Sequence, residues 1–231
     1  MSTDDDLFDR DGWWDPACRE FASLRSVSEY RLAVLRQWLG DGVRDCTVVD
    51  LGCGGGLLAV PLARAGARVV GVDVALHALA AARRAGGDRL RLVAGDLHAL
   101  PLADGHADLV LLADVLEHVA DPAAAVHGAA RLLKAGGHLF VNTIARTRRA
   151  RLLAITLGEG LGLIPRGTHR WQMFLQPAEL DAMAAAAGLR RVARRGEAPR
   201  LWRSLRTKVV HLRSTGSLAV GYGALYVREA A

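Results

Sequence analysis

The sequence predicts an α/β fold in which a mostly parallel sheet carries helices on both faces. Short runs of β-branched and aliphatic residues alternate with alanine-rich helical stretches through the middle of the chain, as in βαβ units. The 231 residues are 51% hydrophobic, enough to bury a sizeable core, and this length suits one compact domain. We therefore expect a single α/β domain.

Seven β-type runs are predicted, each short, mainly apolar and bounded by turn residues. The first ends beside a group of glycines, and the last closes the chain. The runs are Thr47 to Leu51, Arg68 to Val72, Arg89 to Val93, Leu109 to Leu112, Leu139 to Thr143, Arg190 to Val192 and Leu218 to Val227.

Helical stretches lie between these runs, and one precedes the first run. Asp121 and Pro122 are typical of a helix start, whereas Gly136 and Gly137 are predicted to end that helix. A segment at about 145–176 is too long for a simple connection, so we interpret it as an insert. The predicted helices are Val27 to Leu39, Leu57 to Ala65, Leu76 to Arg84, Pro122 to Leu133 and Pro177 to Ala187.

Composition limits the classes of partner and location. The first fifteen residues are acidic and lack an apolar stretch, no apolar run is long enough to span a membrane, and three cysteines form no disulfide or zinc pattern. We expect a cytoplasmic protein. Ile144 to Arg213 holds 15 Arg or Lys against 4 Asp or Glu. This basic region indicates either an anionic partner or a solvated arginine surface.

A glycine-rich loop from Asp50 to Gly56 follows the first strand and opens a helix. Glycines let the backbone turn tightly and approach a ligand closely. The next strand ends at Asp73, 21 residues after Gly52, where a carboxylate can accept hydrogen bonds from ribose hydroxyls. The third strand ends in Gly95 to Leu97, a place suited to an adenine edge. The loop therefore predicts a nucleoside cofactor, with a dinucleotide-dependent oxidoreductase as the alternative.

The run Val49 to Gly56, together with Asp73, Asp96 and Asp108 to Ala113, is similar to the class I methyltransferases that use S-adenosylmethionine. The resemblance implies a Rossmann-like fold with a seven-stranded, mostly parallel sheet, made by residues 46–231 behind a helical cap segment at 1–45. It implies that Asp50 helps to position the aminocarboxypropyl end of the cofactor. The implied cofactor-binding residues are Arg31, Asp50, Gly52, Cys53, Gly54, Asp73, Val74, Gly95, Asp96, Leu97 and Ala113.

Four further runs narrow the resemblance to the ubiquinone-biosynthesis O-methyltransferases, which methylate a phenolic hydroxyl on a polyprenylated ring. They are Trp13 to Pro16, Asp114 to Val119, Phe140 to Thr147 and Pro165 to His169.

The chain departs from that family at two places. Asp114 stands where the family has a longer Glu, and Glu197 to Arg200 replaces an Asn-Pro pattern. A natural-product acceptor therefore stays open. A nucleic-acid methyltransferase is less favoured, because Ala113 to Leu116 occupies the place of an Asn/Asp-Pro-Pro-Tyr/Phe run, and we expect no nucleic-acid partner.

Four residues are candidates for the chemistry. Asp114, Glu117 and His118 share one face if their turn is helical, and two carboxylates with an imidazole could hold Mg²⁺ or Zn²⁺ to lower the pKa of a phenol. The resemblance assigns them that role. His118 acting without metal, or only packing, is the alternative. His169 is a second candidate base, with a turn-stabilising role left open.

Two apolar features each allow two interpretations. In the insert, Leu153, Leu157, Leu161 and Ile164 recur on one helical face behind several arginines, so residues 146–164 predict either a contact with an anionic membrane surface or a lid. The tryptophan pair Trp13 and Trp14 predicts either a lid over the ligand or a packing anchor.

Overall fold

Eight strands form one sheet in the computed structural model, which describes residues 8–40 and 42–229. Residues 1–7 and 41 of the predicted cap segment thus lie outside the described residues. The strands are β1 (Thr47–Leu51), β2 (Arg68–Asp73), β3 (Leu90–Ala94), β4 (Ala107–Ala113), β5 (Leu133–Ile144), β6 (Leu189–Pro199), β7 (Leu212–Thr215) and β8 (Gly221–Arg228).

The strand order β3-β2-β1-β4-β5-β8-β6-β7 confirms the predicted mostly parallel arrangement. Strands β3, β2, β1, β4 and β5 run parallel, and β8 is antiparallel to both β5 and β6. The count is eight rather than seven, because β7 pairs antiparallel with the end of β6, from Gly196 opposite Thr215 to Pro199 opposite Leu212. This added edge strand is short and polar, so its sequence carries no strand signal of its own.

Seven α-helices accompany the sheet in the described part of the chain. They are α1 (Ala22–Leu39), α2 (Ala59–Arg64), α3 (Leu76–Ala85), α4 (Pro122–Leu132), α5 (Arg148–Ala150), α6 (Pro177–Ala186) and α7 (Leu201–Thr207). A π-helical segment, Arg151–Glu159, continues α5, and a single 3₁₀ turn covers Trp171–Met173.

Helices cover both faces of the sheet, as predicted. On one face, α4 and α6 pack through residues such as Val126 and Leu180 against β4 and β5. On the other face, α1 and α2 pack through Leu35 and Leu62 against the same sheet, so α1 joins the main core although it precedes the first strand. All four of these side chains are at most 3% exposed.

Of the two sequence signals predicted to bound α4, the start is confirmed and the stop is not. Asp121 caps the helix, since its Oδ1 accepts a hydrogen bond from the Ala124 backbone N–H at 2.9 Å. The predicted stop at Gly136 and Gly137 is wrong, because α4 ends at Leu132 and β5 begins at the next residue. Pairing of Leu133 with Ala107 at the start of β4 draws this segment into the sheet.

The insert is helical over only half of the predicted apolar stripe. The π-helical segment ends at Glu159, and turns follow through residue 170. The last turn of the π-helical segment has hydrogen bonds between residues five positions apart, such as Gly160 N–H to the Ile155 carbonyl at 3.3 Å. None of the helices in residues 8–40 and 42–229 combines the length and apolar character needed to cross a bilayer.

Candidate active site

A cavity of about 520 Å³ opens at the carboxyl ends of β1, β2 and β4, the edge where ligands bind in open α/β sheets. Gly52, Val74 and Asp114, which directly follow these strands, line it. The other predicted site residues that line it are Arg31, Asp50, Cys53, Gly54, Asp73, Leu97, Ala113, His118 and His169.

The glycine loop takes a shape that only glycine supports easily. Gly52 and Gly54 have φ angles of 70° and 49°, in the left-handed region. A Cβ at Gly52 would lie 2.6 Å from the Val115 side chain, and a Cβ at Gly54 would lie 2.6 Å from Trp13. The loop is therefore packed from both sides, and its backbone forms part of the cavity wall.

Asp73 connects the glycine loop to β2. Its Oδ2 accepts a hydrogen bond from Gly54 N–H at 2.7 Å, and its Oδ1 accepts one from Ala75 N–H at 2.9 Å. Burial raises the pKa of Asp73, and these backbone hydrogen bonds oppose that rise. The carboxylate is thus held rigidly at the cavity, in the place predicted for ribose recognition.

Asp50 is a buried carboxyl group beneath the same loop, only 3% exposed. Burial, and next the charge of Asp73, raise its pKa to about 7, against a lowering hydrogen bond from the Ala59 backbone. A cationic group bound in the cavity would favour the ionised form. Cys53 beside it is also buried, and burial raises the pKa of its thiol, so it lines the cavity as a neutral group.

The loop after β3 contributes fewer residues to the cavity wall than the sequence predicted. Leu97 lines the cavity, whereas Gly95 and Asp96 are not among its lining residues. Asp96 is exposed, and its Oδ1 accepts a hydrogen bond from His98 N–H at 2.9 Å within its own loop. The role of Gly95 and Asp96 at an adenine edge stays a prediction.

Both tryptophans of the N-terminal segment pack on the glycine loop. Trp13 is 6% exposed and stacks on Phe21 with ring centroids 4.4 Å apart, and a Cβ at Gly55 would lie 2.2 Å from its ring. Trp14 Nε1 donates a hydrogen bond to the Gly55 carbonyl at 2.7 Å. These contacts support the anchor interpretation, and because Trp13 lines the cavity it is also part of the wall.

A buried ionic cluster surrounds Arg31, which is only 5% exposed. Its guanidinium forms an ion pair with Asp114, and its Nη2 lies 3.8 Å from Oε2 of Glu197. Glu197 is 2% exposed and accepts a hydrogen bond from Asn142 Nδ2 at 2.6 Å. Burial raises the pKa of Glu197, and the neighbouring Arg31 opposes that rise. Sequence reasoning did not select Glu197, although it is the one acidic residue between Arg190 and Arg213.

The predicted metal set is not brought together. Residues 114–118 form turns rather than a helix, and Asp114 has a φ of 56° and is paired with Arg31. Glu117 is 1% exposed, does not line the cavity, and accepts a hydrogen bond from Thr143 Oγ1 at 2.7 Å. Within residues 8–40 and 42–229, no group of three or more His, Cys, Asp or Glu side chains could hold a metal ion.

Two histidines lie next to each other in the lining of the cavity instead. The rings of His118 and His169 have centroids 6.0 Å apart. His169 Nδ1 lies 3.1 Å from Oε1 of Glu159, which also accepts the His169 backbone N–H at 2.9 Å. Oε2 of Glu159 accepts a hydrogen bond from Gly167 N–H at 2.7 Å. Glu159, which sequence reasoning did not select, thus fixes both the turn and the imidazole.

Electrostatics at Glu159 favour its charged form. Burial acts to raise its pKa, but hydrogen bonds from His169 and Gly167 outweigh this and lower it. An ionised Glu159 assigns the proton of His169 to Nδ1, so that Nε2 is left to accept a proton. A carboxylate that orients a histidine in this way is a recurrent arrangement for a general base.

The apolar stripe of the insert covers the cavity. Leu153, Leu157, Leu161 and Ile164 all line it. The insert is held to α1 by Ser23, whose Oγ donates a hydrogen bond to the Leu163 carbonyl at 2.6 Å. These contacts support the lid interpretation of the insert.

Comparisons with known proteins identify the family that the chain resembles. Residues 49–141 match the family described as a methyltransferase domain. The ubiquinone biosynthesis O-methyltransferase of Alkalilimnicola ehrlichii is 42% identical over 182 residues, 77% of this chain and 73% of that protein. The protein of the same name from Hydrogenovibrio crunogenus is 39% identical over 183 residues, 77% of this chain and 74% of that protein.

Among solved structures, the chain is similar to the magnesium protoporphyrin IX methyltransferase of Synechocystis PCC 6803 with bound SAH. The TM-score is 0.65 at 20% identity, over 96% of this chain and 91% of that chain. At this identity the likeness is one of fold, and it places the chain in the Rossmann-like architecture that the sequence predicted.

Proposed function

This chain belongs to the ubiquinone biosynthesis O-methyltransferase family and is an S-adenosylmethionine-dependent methyltransferase, and from that membership we propose that it methylates a phenolic or catechol hydroxyl of a quinone precursor or a similar lipophilic aromatic. The observation that carries the proposal is the continuous cavity. It runs from the polar glycine loop at Gly52 to the apolar wall of the insert, with His118 and His169 between them.

The cofactor end of the cavity is built from the loop after β1 and the end of β2. When bound, S-adenosylmethionine supplies an electrophilic methyl group. In this proposal Asp73 accepts hydrogen bonds from the ribose hydroxyls, Asp50 offers a carboxylate to the amino end, and the backbone at Gly52 and Gly54 admits the methionine portion. The division into a cap segment at 1–45 and a methyltransferase domain at 46–231 belongs to the same proposal.

Proton removal is the step that the protein's own side chains must perform. A phenol with a pKa near 10 is mostly protonated at neutral pH, whereas methyl transfer needs the more nucleophilic phenolate. His169, held by Glu159, takes the phenolic proton at Nε2. His118, whose ring neighbours that of His169, bounds the acceptor ring on one side. In-line displacement then depends on holding the oxygen close to the methyl group.

The remaining candidates act as supports in this scheme. Asp114 pairs with Arg31 at the cavity wall, and Glu117 holds Thr143 behind it. A divalent ion at Asp114, Glu117 and His118, which the resemblance implies, stays a prediction. It would require Asp114 to leave Arg31 and Glu117 to turn from the core, so no step of the mechanism is routed through it.

The acceptor end fits a lipophilic molecule, because aliphatic side chains of the insert form its wall. Several arginines lie on the same segment, and Leu152 and Leu161 are 51% and 47% exposed. Such a segment suits peripheral contact with an anionic membrane through 146–164, on the cytoplasmic side of the inner membrane, while its buried face serves as a lid.

Incubation with labelled S-adenosylmethionine and a panel of acceptors tests the proposal. The panel pairs each catechol and prenylated phenol with a matched compound whose hydroxyls are already methylated. We expect label on oxygen in the free phenols, faster turnover with a prenyl chain, and none in the blocked controls. Label on nitrogen, or turnover confined to acceptors without a phenol, would overturn it.

A further inference from the structure

Helix α7 exposes an unusual amount of apolar surface for so short an element. Leu201 is 50% exposed, Trp202 is 81% exposed and Leu205 is 47% exposed. A tryptophan this exposed leaves a large apolar ring in water, which soluble surfaces normally avoid outside contact sites. The sequence runs that carry the family resemblance lie between Trp13 and His169 and do not include this helix.

The same helix is strongly basic. Arg200, Arg203, Arg206 and Lys208 lie within or beside it, and no acidic residue occurs between Ala198 and Arg228. Arg203, Arg206 and Lys208 form no ion pair with the residues that the structure describes. The surface around Trp202 therefore combines exposed apolar side chains with uncompensated positive charge.

This surface is continuous with the candidate active site. Leu201 and Leu205 line the cavity, as do Leu157 and Leu161 of the insert, and all four are at least 37% exposed. Two separate apolar segments thus border one cavity from different parts of the chain.

We propose that α7 is an interfacial anchor that seats the exposed side of the cavity on an anionic lipid surface. Trp202 lies at headgroup depth, the leucines face the acyl boundary, and the basic side chains contact headgroup phosphates. A lipid-soluble acceptor then reaches His169 directly from the membrane. The lipid contact is inferred from the exposed apolar and basic side chains of α7 alone, whereas this route for the acceptor rests on the proposed function.

Flotation of the full chain with vesicles measures the contact. One vesicle set contains phosphatidylcholine alone, and the other adds phosphatidylglycerol. We expect Trp202→Ala to lower the apparent affinity for the anionic set about tenfold, and the pair Arg203→Glu and Arg206→Glu to remove the preference for anionic vesicles. Val192→Ala, which truncates a 44% exposed side chain on β6, is the matched control and should bind as the wild type does.

Measurements of turnover with water-soluble and vesicle-borne acceptors distinguish a failure of this inference from a failure of the proposed function. Because Trp202 does not line the cavity, Trp202→Ala should methylate a water-soluble catechol at the wild-type rate and a vesicle-borne prenylated phenol more slowly. Wild-type vesicle binding by Trp202→Ala would overturn the anchor. So would a dimer in light scattering that this variant dissociates, since a second copy would then cover the surface. Normal lipid binding with no phenol turnover would instead refute only the proposed function.

Discussion

Glu159 and His169 form a buried pair in which one carboxylate oxygen, Oε1, contacts the same histidine twice. It lies 3.1 Å from the ring Nδ1 and 2.9 Å from the backbone nitrogen. The backbone N–H holds Oε1 in place beside the ring, so turning the ring would break its contact with the carboxylate. This pair fixes which ring nitrogen faces the cavity.

We expect His169→Ala to lower kcat by about 10² to 10⁴, the range for loss of a general base. Glu159→Gln keeps an acceptor oxygen but loses the charge, so kcat should fall less, by about tenfold. Since Glu159 acts through His169, the KM for S-adenosylmethionine should stay unchanged in both variants, and Glu159→Asp should restore part of kcat. Steady-state kinetics check this, and an unchanged kcat in His169→Ala would move proton removal to another residue.

Asp50 predicts a pH dependence of stability with a definite sign. Burial and the charge of Asp73 raise its pKa in the folded chain from 3.8 to about 7. A raised folded-state pKa contributes stability below the unfolded value and loses it as pH rises through the folded value. Between about pH 4 and 7, the wild type should therefore lose up to about 1.4 kcal/mol per pH unit relative to Asp50→Asn.

Urea unfolding at several pH values measures that difference. Asp104→Asn, which changes an exposed carboxylate paired with Arg131, should keep the wild-type slope. Parallel slopes for the wild type and Asp50→Asn would show that Asp50 is ionised throughout the range.

Asp73 should dominate cofactor affinity. Asp73→Ala removes a charged acceptor for two ribose hydroxyls and also frees the Gly54 N–H that shapes the loop. We expect a loss of about 2–3 kcal/mol, or about 30–150-fold, in affinity for S-adenosylhomocysteine. Calorimetry tests it with Asp104→Ala as the control, and equal affinities for the two variants would remove Asp73 from the cofactor site.

Chelation tests whether Asp114 stays with Arg31 during turnover. The described arrangement predicts that exhaustive EDTA treatment leaves the rate within about twofold, because the Asp114 carboxylate is already neutralised by a buried guanidinium. If EDTA abolishes activity and Mg²⁺ or Zn²⁺ restores it, Asp114 must leave Arg31 to bind the ion, and the metal interpretation returns.

Local signals allowed much of the fold to be predicted. Asp121 with Pro122 marks a helix start whatever surrounds it, and the β1 run followed by Gly52 identifies the loop because its geometry depends on nearby residues. Gly136 misled because a glycine signal is local, whereas pairing between β4 and β5 depends on residues about 26 positions apart.

Two site residues, Glu159 and Glu197, could not be predicted from the sequence for a different reason. Glu159 acts on His169 across ten residues of irregular chain, and Glu197 meets Arg31 from the far end of the sequence. Each looks like an ordinary surface carboxylate in sequence. Only the packing of the insert and of β6 against the cavity removes them from solvent.

The pairing of Arg31 with Glu197 constrains any attempt to engineer a new acceptor preference by transplanting the 196–213 segment from another methyltransferase. A graft without a carboxylate at position 197 would leave the buried Arg31 guanidinium with Asp114 as its ion-pair partner among the described residues. It would also remove the acceptor of the buried Asn142 Nδ2 hydrogen bond, and an unsatisfied buried donor costs about 1–3 kcal/mol. A loss of that size is a large fraction of the total stability of an ordinary domain, so it would lower the yield of folded chimeras. A graft must therefore be designed together with α1, because Arg31 on this helix restricts which residues the 196–213 segment can carry at position 197.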